Sequence, residues 1–139
     1  MNDFVANIFE LWGGAYLGPF SQYMYRADLY IGIFLWLLLL PAIALLVYYK
    51  LWDNIRLSKL WIWCILVLLL SMAVGAIGYF NADAGIYDYL HDHQITDSRI
   101  QDSDYLYFSL VCFGWAMIWS ILCSCLFKLI SVKTRHIPF

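Results

Sequence analysis

Asp88, His91, Asp92 and His93 bring two imidazoles and two carboxylates into one short stretch. Imidazole nitrogens and carboxylate oxygens are ligands that zinc and other divalent ions accept, so these four are weak candidates for a metal centre. Their spacing is not that of HExxH, and the aspartates do not follow a calcium-binding loop, which needs a central glycine and a terminal glutamate. A solvated acidic surface accounts for them without an ion, because runs of like charge usually form solvated interaction segments. No metal and no cofactor is expected.

Asp102 and Asp104 are a second candidate, as a cation vestibule. They stand immediately before an apolar run. Copies arranged about an axis would turn them into a negative ring that concentrates cations at a channel mouth. The wall of such a pore would be the stripe from Ser109 through Cys112, Ala116, Ser120 and Cys123 to Ser124. An upstream run carries a matching stripe, Cys64, Leu68, Ser71, Gly75 and Gly78. Both advance by steps of three and four from Ser109 to Cys123 and from Cys64 to Gly78, with Ser124 beside the first, which keeps small residues on one helical face. Lipid gives helices no hydrophobic reason to associate, so close approach depends on such residues. Ser71, Gly75, Gly78, Ser109, Cys112, Ala116 and Ser120 are therefore expected to hold two helices together.

Other chemistries lack their residues. There is no P-loop, GxSxG, Ser-Lys pair or Cys-His constellation. Cys64, Cys112, Cys123 and Cys125 all fall in apolar runs, where cysteine behaves as a small hydrophobe. No CxxC suggests a disulfide framework or zinc site. No catalytic residue is expected, and a net charge of −2 gives no reason to expect a nucleic-acid partner.

The elements that position these residues are apolar helices. Residues 29–49, 60–80 and 105–127 are three runs, each with about the 20 residues that cross a hydrocarbon layer of roughly 30 Å. The first two contain no Asp, Glu, Lys, Arg or His, and neither does the third. Ionisable residues inside the span mark proton relays and voltage sensors, so those functions are not expected. The chain is 64% hydrophobic and 13% charged, against about 25% charged in a soluble domain. So much apolar surface cannot be hidden within 139 residues and must face lipid.

Charge sets the expected orientation. The short connection 50–59 carries Lys50, Arg56 and Lys59, and the tail 128–139 carries Lys128, Lys133 and Arg135. The connection 81–104 holds Asp83, Asp88, Asp92, Asp97, Asp102 and Asp104 against Arg99 alone. Lys and Arg near helix ends stay cytoplasmic. The basic connection and tail are thus expected in the cytoplasm, with the acidic loop and amino terminus outside, in the cell's inner membrane. Residues 1–17 have no Lys or Arg and no continuous apolar core, unlike a signal peptide.

Residues 1–27 read as a short amphipathic helix on the outer leaflet, or packed under the acidic loop. Asn2 or Asp3 caps it, and Phe4, Val5, Ile8, Leu11, Trp12 and Ala15 share its apolar face. Gly13-Gly14 and Gly18-Pro19 interrupt it, which also permits a re-entrant element. Pro41 in the first run frees the carbonyl of Leu37 and predicts a kink. Tyr48, Tyr49, Trp52, Trp61 and Trp63 are expected as anchors at the inner interface, and Tyr30, Tyr79, Phe80, Tyr105 and Tyr107 at the outer one.

The expected fold is an all-α integral membrane protein, with three transmembrane helices and an interfacial amino-terminal helix in a single membrane domain. The expected function is non-enzymatic: a homo-oligomer or a subunit of a larger membrane complex, in contact with the lipid bilayer, using the acidic loop as its partner-facing surface. The alternative is a homo-oligomeric cation channel with the Asp102/Asp104 vestibule. A metal-dependent enzyme at the His91/His93 loop ranks third.

Overall fold

The computed structural model describes residues 2–11, 13–51, 60–95 and 100–130. Trp12, Trp52, Asp53, Arg56, Lys59, Asp97, Arg99, Lys133 and Arg135 lie outside the described residues, as do the side chains of Lys50 and Lys128. Five helices run in order along the chain: α1 (Asn2–Phe9), α2 (Pro19–Arg26), α3 (Leu29–Leu51), α4 (Leu60–Asp92) and α5 (Asp102–Ile130). There is no strand among the described residues. Helices α3, α4 and α5 are each long and apolar enough to cross a membrane.

The three long helices pack as a bundle in which α4 and α5 make the most extensive contact. Their outward surface is aliphatic and aromatic. Trp36, Leu39, Ile43, Ile65, Leu69, Met72, Leu110 and Leu122 are each about half to two thirds exposed. Contiguous apolar surface on this scale is foreign to soluble monomers.

Helix α4 departs from the expected loop boundary. It continues past Phe80 to Asp92, so the acidic connection is largely helical. At about 1.5 Å per residue its 33 residues reach roughly 50 Å, well beyond a hydrocarbon layer. The extension is helical because Ala82, Ile86 and Leu90 recur every fourth residue and pack on the core. Gly85 lets Leu29, at the start of α3, approach the α4 backbone; a Cβ at 85 would collide with the Leu29 side chain. The end is a Schellman stop. Gln94 takes φ 52°, Ile95 N donates to Leu90 O at 3.0 Å, and Gln94 N donates to His91 O at 3.2 Å.

The amino-terminal segment also differs from a single helix lying in lipid. It forms two helices, and both are built into the bundle. Val5, Phe9, Phe20 and Met24 are essentially inaccessible. Helix α1 ends at Phe9, so Val5, Ala6 and Phe9 form its buried face, while Phe4 (65% exposed) and Leu11 point outward. Helix α2 starts where Gly18 adopts φ 59° and Pro19 supplies a preset first turn. Phe108 of α5 joins both helices to the bundle. Its ring lies 5.5 Å from Phe9, 5.6 Å from Phe20 and 6.1 Å from Tyr30, centroid to centroid. Trp115 Nε1 adds a hydrogen bond to Ile8 O at 3.1 Å.

Several expected interface aromatics are core residues instead. Tyr30, Tyr48, Tyr49 and Trp63 are buried against protein, whereas Trp61 and Phe80 face outward. Trp63 Nε1 donates to Ser124 Oγ at 3.0 Å, which fastens the other end of α4 to α5.

Pro41 is buried, and α3 stays helical through it. The turn it weakens is braced from α5, where Trp119 Nε1 donates to Leu38 O at 3.0 Å. Trp119→Phe removes that donor and should lower stability by about 1 kcal/mol, the usual scale of a hydrogen bond between membrane helices. In a Pro41→Ala background, which restores the missing amide, the loss should shrink. A double-mutant cycle of unfolding midpoints reads this coupling. Strictly additive effects would mean that the brace is independent of the proline.

Candidate functional site

The two small-residue stripes meet within the one chain. Ser109 Oγ donates to Gly75 O at 2.9 Å. A methyl group built on Gly75 would stand 3.2 Å from Ser109 O, and one on Gly78 would stand 2.9 Å from Cys112 Sγ. Ala116 and Ser120 are fully buried, as is Ser71, whose hydroxyl turns back to Val67 O at 2.8 Å. Cys64 and Leu68, at the other end of the stripe, are exposed. The stripe considered as a pore wall is thus a seam between α4 and α5.

Asp102 is exposed at the start of α5. Asp104 is half-buried, and its Oδ2 accepts from Gln101 N at 3.2 Å, the geometry of a carboxylate at a helix start. Asp88, His91 and Asp92 lie exposed on the last turns of α4, with His93 just beyond. His91 stacks on Tyr87, while His93 stacks on Tyr89 at 4.2 Å and its Nδ1 lies 2.9 Å from Tyr89 O. The helix thereby commits the two imidazoles to different aromatic partners. Among the described residues no three His, Cys, Asp or Glu side chains converge as metal ligands.

The convergence of polar groups is elsewhere, between α1 and α2. Asp3 and Asn7 on α1 and Glu10 in the turn just beyond it fall at steps of four and three, and Gln22, Tyr25 and Arg26 share a side of α2. With Tyr16 from the intervening turn they line an open cleft of about 390 Å³. The Tyr25 hydroxyl donates to Asp3 Oδ1 in a short hydrogen bond. That bond, and then the Asp3 charge, push the Tyr25 phenol above the usual tyrosine range. The Tyr30 hydroxyl donates to Glu10 Oε1 at 2.9 Å, and Gln22 Nε2 donates to the Tyr16 hydroxyl at 3.1 Å. Asn2 Nδ2 closes one end, donating to Tyr25 O at 3.1 Å and Asp28 Oδ1 at 2.6 Å. The lining combines two carboxylates, one guanidinium, two phenols and two amides, a set of hydrogen-bonding groups of both charges.

Sequence reasoning misses this cleft because it tracks only the apolar face of the first segment. The signal is present in the complementary spacing of Asp3, Asn7 and Glu10 and in the Gly18-Pro19 helix start. On the other side of α1, Phe4 and Ile8 border a groove of about 290 Å³ with Phe34, Leu37, Trp115 and Trp119, almost wholly apolar. Comparison with known families, curated proteins and solved structures finds no match to this chain.

Proposed function

We propose that the protein is a non-enzymatic membrane-embedded subunit that works within a larger membrane assembly and presents its α1–α2 cap and the end of α4 outside the cell. The observation that carries this reading is the form of α4. A span needs about 20 residues, and the 33 of α4 leave a rigid extension whose one face packs on the protein. Its other face displays Tyr87, Asp88, His91 and Asp92. An exposed aromatic residue such as Tyr87 is the kind of anchor in which partner surfaces are enriched, and the polar residues around it are of the kind found at an interface rim. The aliphatic belt supports insertion, since lipid is the solvent that tolerates it. The Lys/Arg asymmetry supports the orientation.

The seam position of Ser109, Cys112, Ala116 and Ser120 favours this reading over a cation channel, because a pore along that stripe would have to part α4 from α5. Extraction from native membranes into lipid particles, then native mass spectrometry, tests it. The expected species is heavier than the 16.3 kDa chain by the mass of at least one further subunit. A lone chain would contradict assembly. Purified protein in a planar bilayer should carry no ionic current, and a cation current that falls in Asp102→Asn/Asp104→Asn would establish the channel instead.

A further inference from the structure

We propose that the cleft between α1 and α2 binds a compact zwitterion, a primary ammonium joined by a short linker to a phosphate. Asp3 and Glu10 each accept a hydrogen bond from a neutral tyrosine hydroxyl. A carboxylate offers about four acceptor positions, so both are held in place while their charge and most of their acceptor capacity stay available. Arg26 lines the same cleft, and among the described residues it forms no ion pair. A simple anion would be repelled by two carboxylates, and a simple cation would leave the Arg26 guanidinium opposed. A ligand carrying both charges meets both kinds of group. An ammonium donates to carboxylates, and guanidinium recognises phosphate through paired, charge-assisted hydrogen bonds. Tyr16 and Tyr25 also line the cleft, and tyrosine rings are among the groups that attract an ammonium.

The cleft volume of about 390 Å³ lies in the range of small-ligand sites. Two sources carry this chemistry: the headgroup of an ethanolamine phospholipid, and free phosphoethanolamine. The lipid source rests on the membrane placement proposed above. The free source does not need the membrane.

The test uses the full chain in phosphatidylcholine nanodiscs. Phosphoethanolamine is titrated calorimetrically, with ethanolamine and inorganic phosphate as half-ligand controls. In parallel, nanodiscs containing a minor share of phosphatidylethanolamine are opened in a native mass spectrometer to read which lipid stays bound. Saturable binding of phosphoethanolamine, weakened about tenfold in Arg26→Gln and again in Glu10→Gln, is the expected result, since a hydrogen bond to a charged group is worth that much. Arg26 is exposed, and Glu10→Gln keeps an acceptor for Tyr30, so both variants should melt like the parent. Retention of phosphatidylethanolamine over phosphatidylcholine, lost in the same variants, identifies the lipid source. Binding of the soluble probe without lipid enrichment identifies the free one. Absence of saturable binding to both probes, or binding that Arg26→Gln and Glu10→Gln leave unchanged, overturns the proposal. A chain that proves water-soluble without detergent yet still binds phosphoethanolamine would refute the membrane reading and leave the cleft assignment standing.

Discussion

Gly75→Leu should separate α4 from α5 and cost about 3 kcal/mol or more, at the upper end of what overpacking a closed contact costs. The site has no room for even a methyl group without movement, because Ser109 O would lie 3.2 Å and Phe113 Cβ 3.4 Å from it. The nearest obstacle is backbone, which yields less readily than a side-chain tip. A leucine would also push the Ser109 hydroxyl away from Gly75 O, ending a hydrogen bond at 2.9 Å. Leu69→Ala on the same helix is the comparison, since Leu69 is 56% exposed and trades protein contact for none. Its effect should stay within about 0.5 kcal/mol, as for substitutions away from packed features. Unfolding midpoints of both variants in the same lipid mixture read the difference. Equal effects would mean that the α4–α5 seam contributes no special closeness.

Phe108→Ala should be comparably damaging, by about 3–5 kcal/mol, and its damage should be local. If the bundle is embedded as proposed, moving a phenyl ring from lipid tails to protein gains little hydration free energy, and Phe108 then contributes through dispersion and shape. That makes the cavity term dominant. The ring touches Phe9, Phe20 and Tyr30 from three different helices, and no other described ring contact spans α1, α2 and α3 together. Its loss should leave α1 and α2 held to the bundle by two hydrogen bonds, Trp115 Nε1 to Ile8 O and Tyr30 to Glu10, and by the loosened ring contacts of Phe9 with Tyr30 and of Phe20 with Tyr105. Amide exchange in α1 and α2 should then rise sharply while α3 and α5 stay protected. Phe80→Ala, at a ring 67% exposed, should change neither. Uniform loosening of all five helices would show that the cap is not a separable layer.

The three long helices are legible in the sequence because an apolar run of about 20 residues has few other uses. Which residues share a face of α4 or α5 is also legible, since it comes from helical period alone. The extension of α4 escapes a sequence reading for a physical reason. Asn81, Asp83 and Asp88 end the apolar run, yet Ala82, Ile86 and Leu90 keep a buried stripe going on the side that meets protein. Hydropathy averages the two faces, while packing reads only one. Helix α2 is hidden similarly, because Gly18-Pro19 both breaks the segment before it and starts a new helix. The cleft is not legible as a unit. Each of its walls is an ordinary polar helix face, and their confrontation is fixed by Phe108 and by the Asn2–Asp28 contact, neither of which any local spacing announces.

Sidedness is the most direct test of the central claim, which is that three helices cross the membrane and hold the α1–α2 cap outside. Single cysteines at Gln22 on the cap, Asp92 at the end of α4 and Ser58 in the basic connection are treated with a membrane-impermeant maleimide, with the parent chain as blank for its four native thiols. Gln22→Cys and Asp92→Cys should label in intact cells, and Ser58→Cys only after the membrane is broken. Labelling of Gln22→Cys and Ser58→Cys from the same side would contradict it.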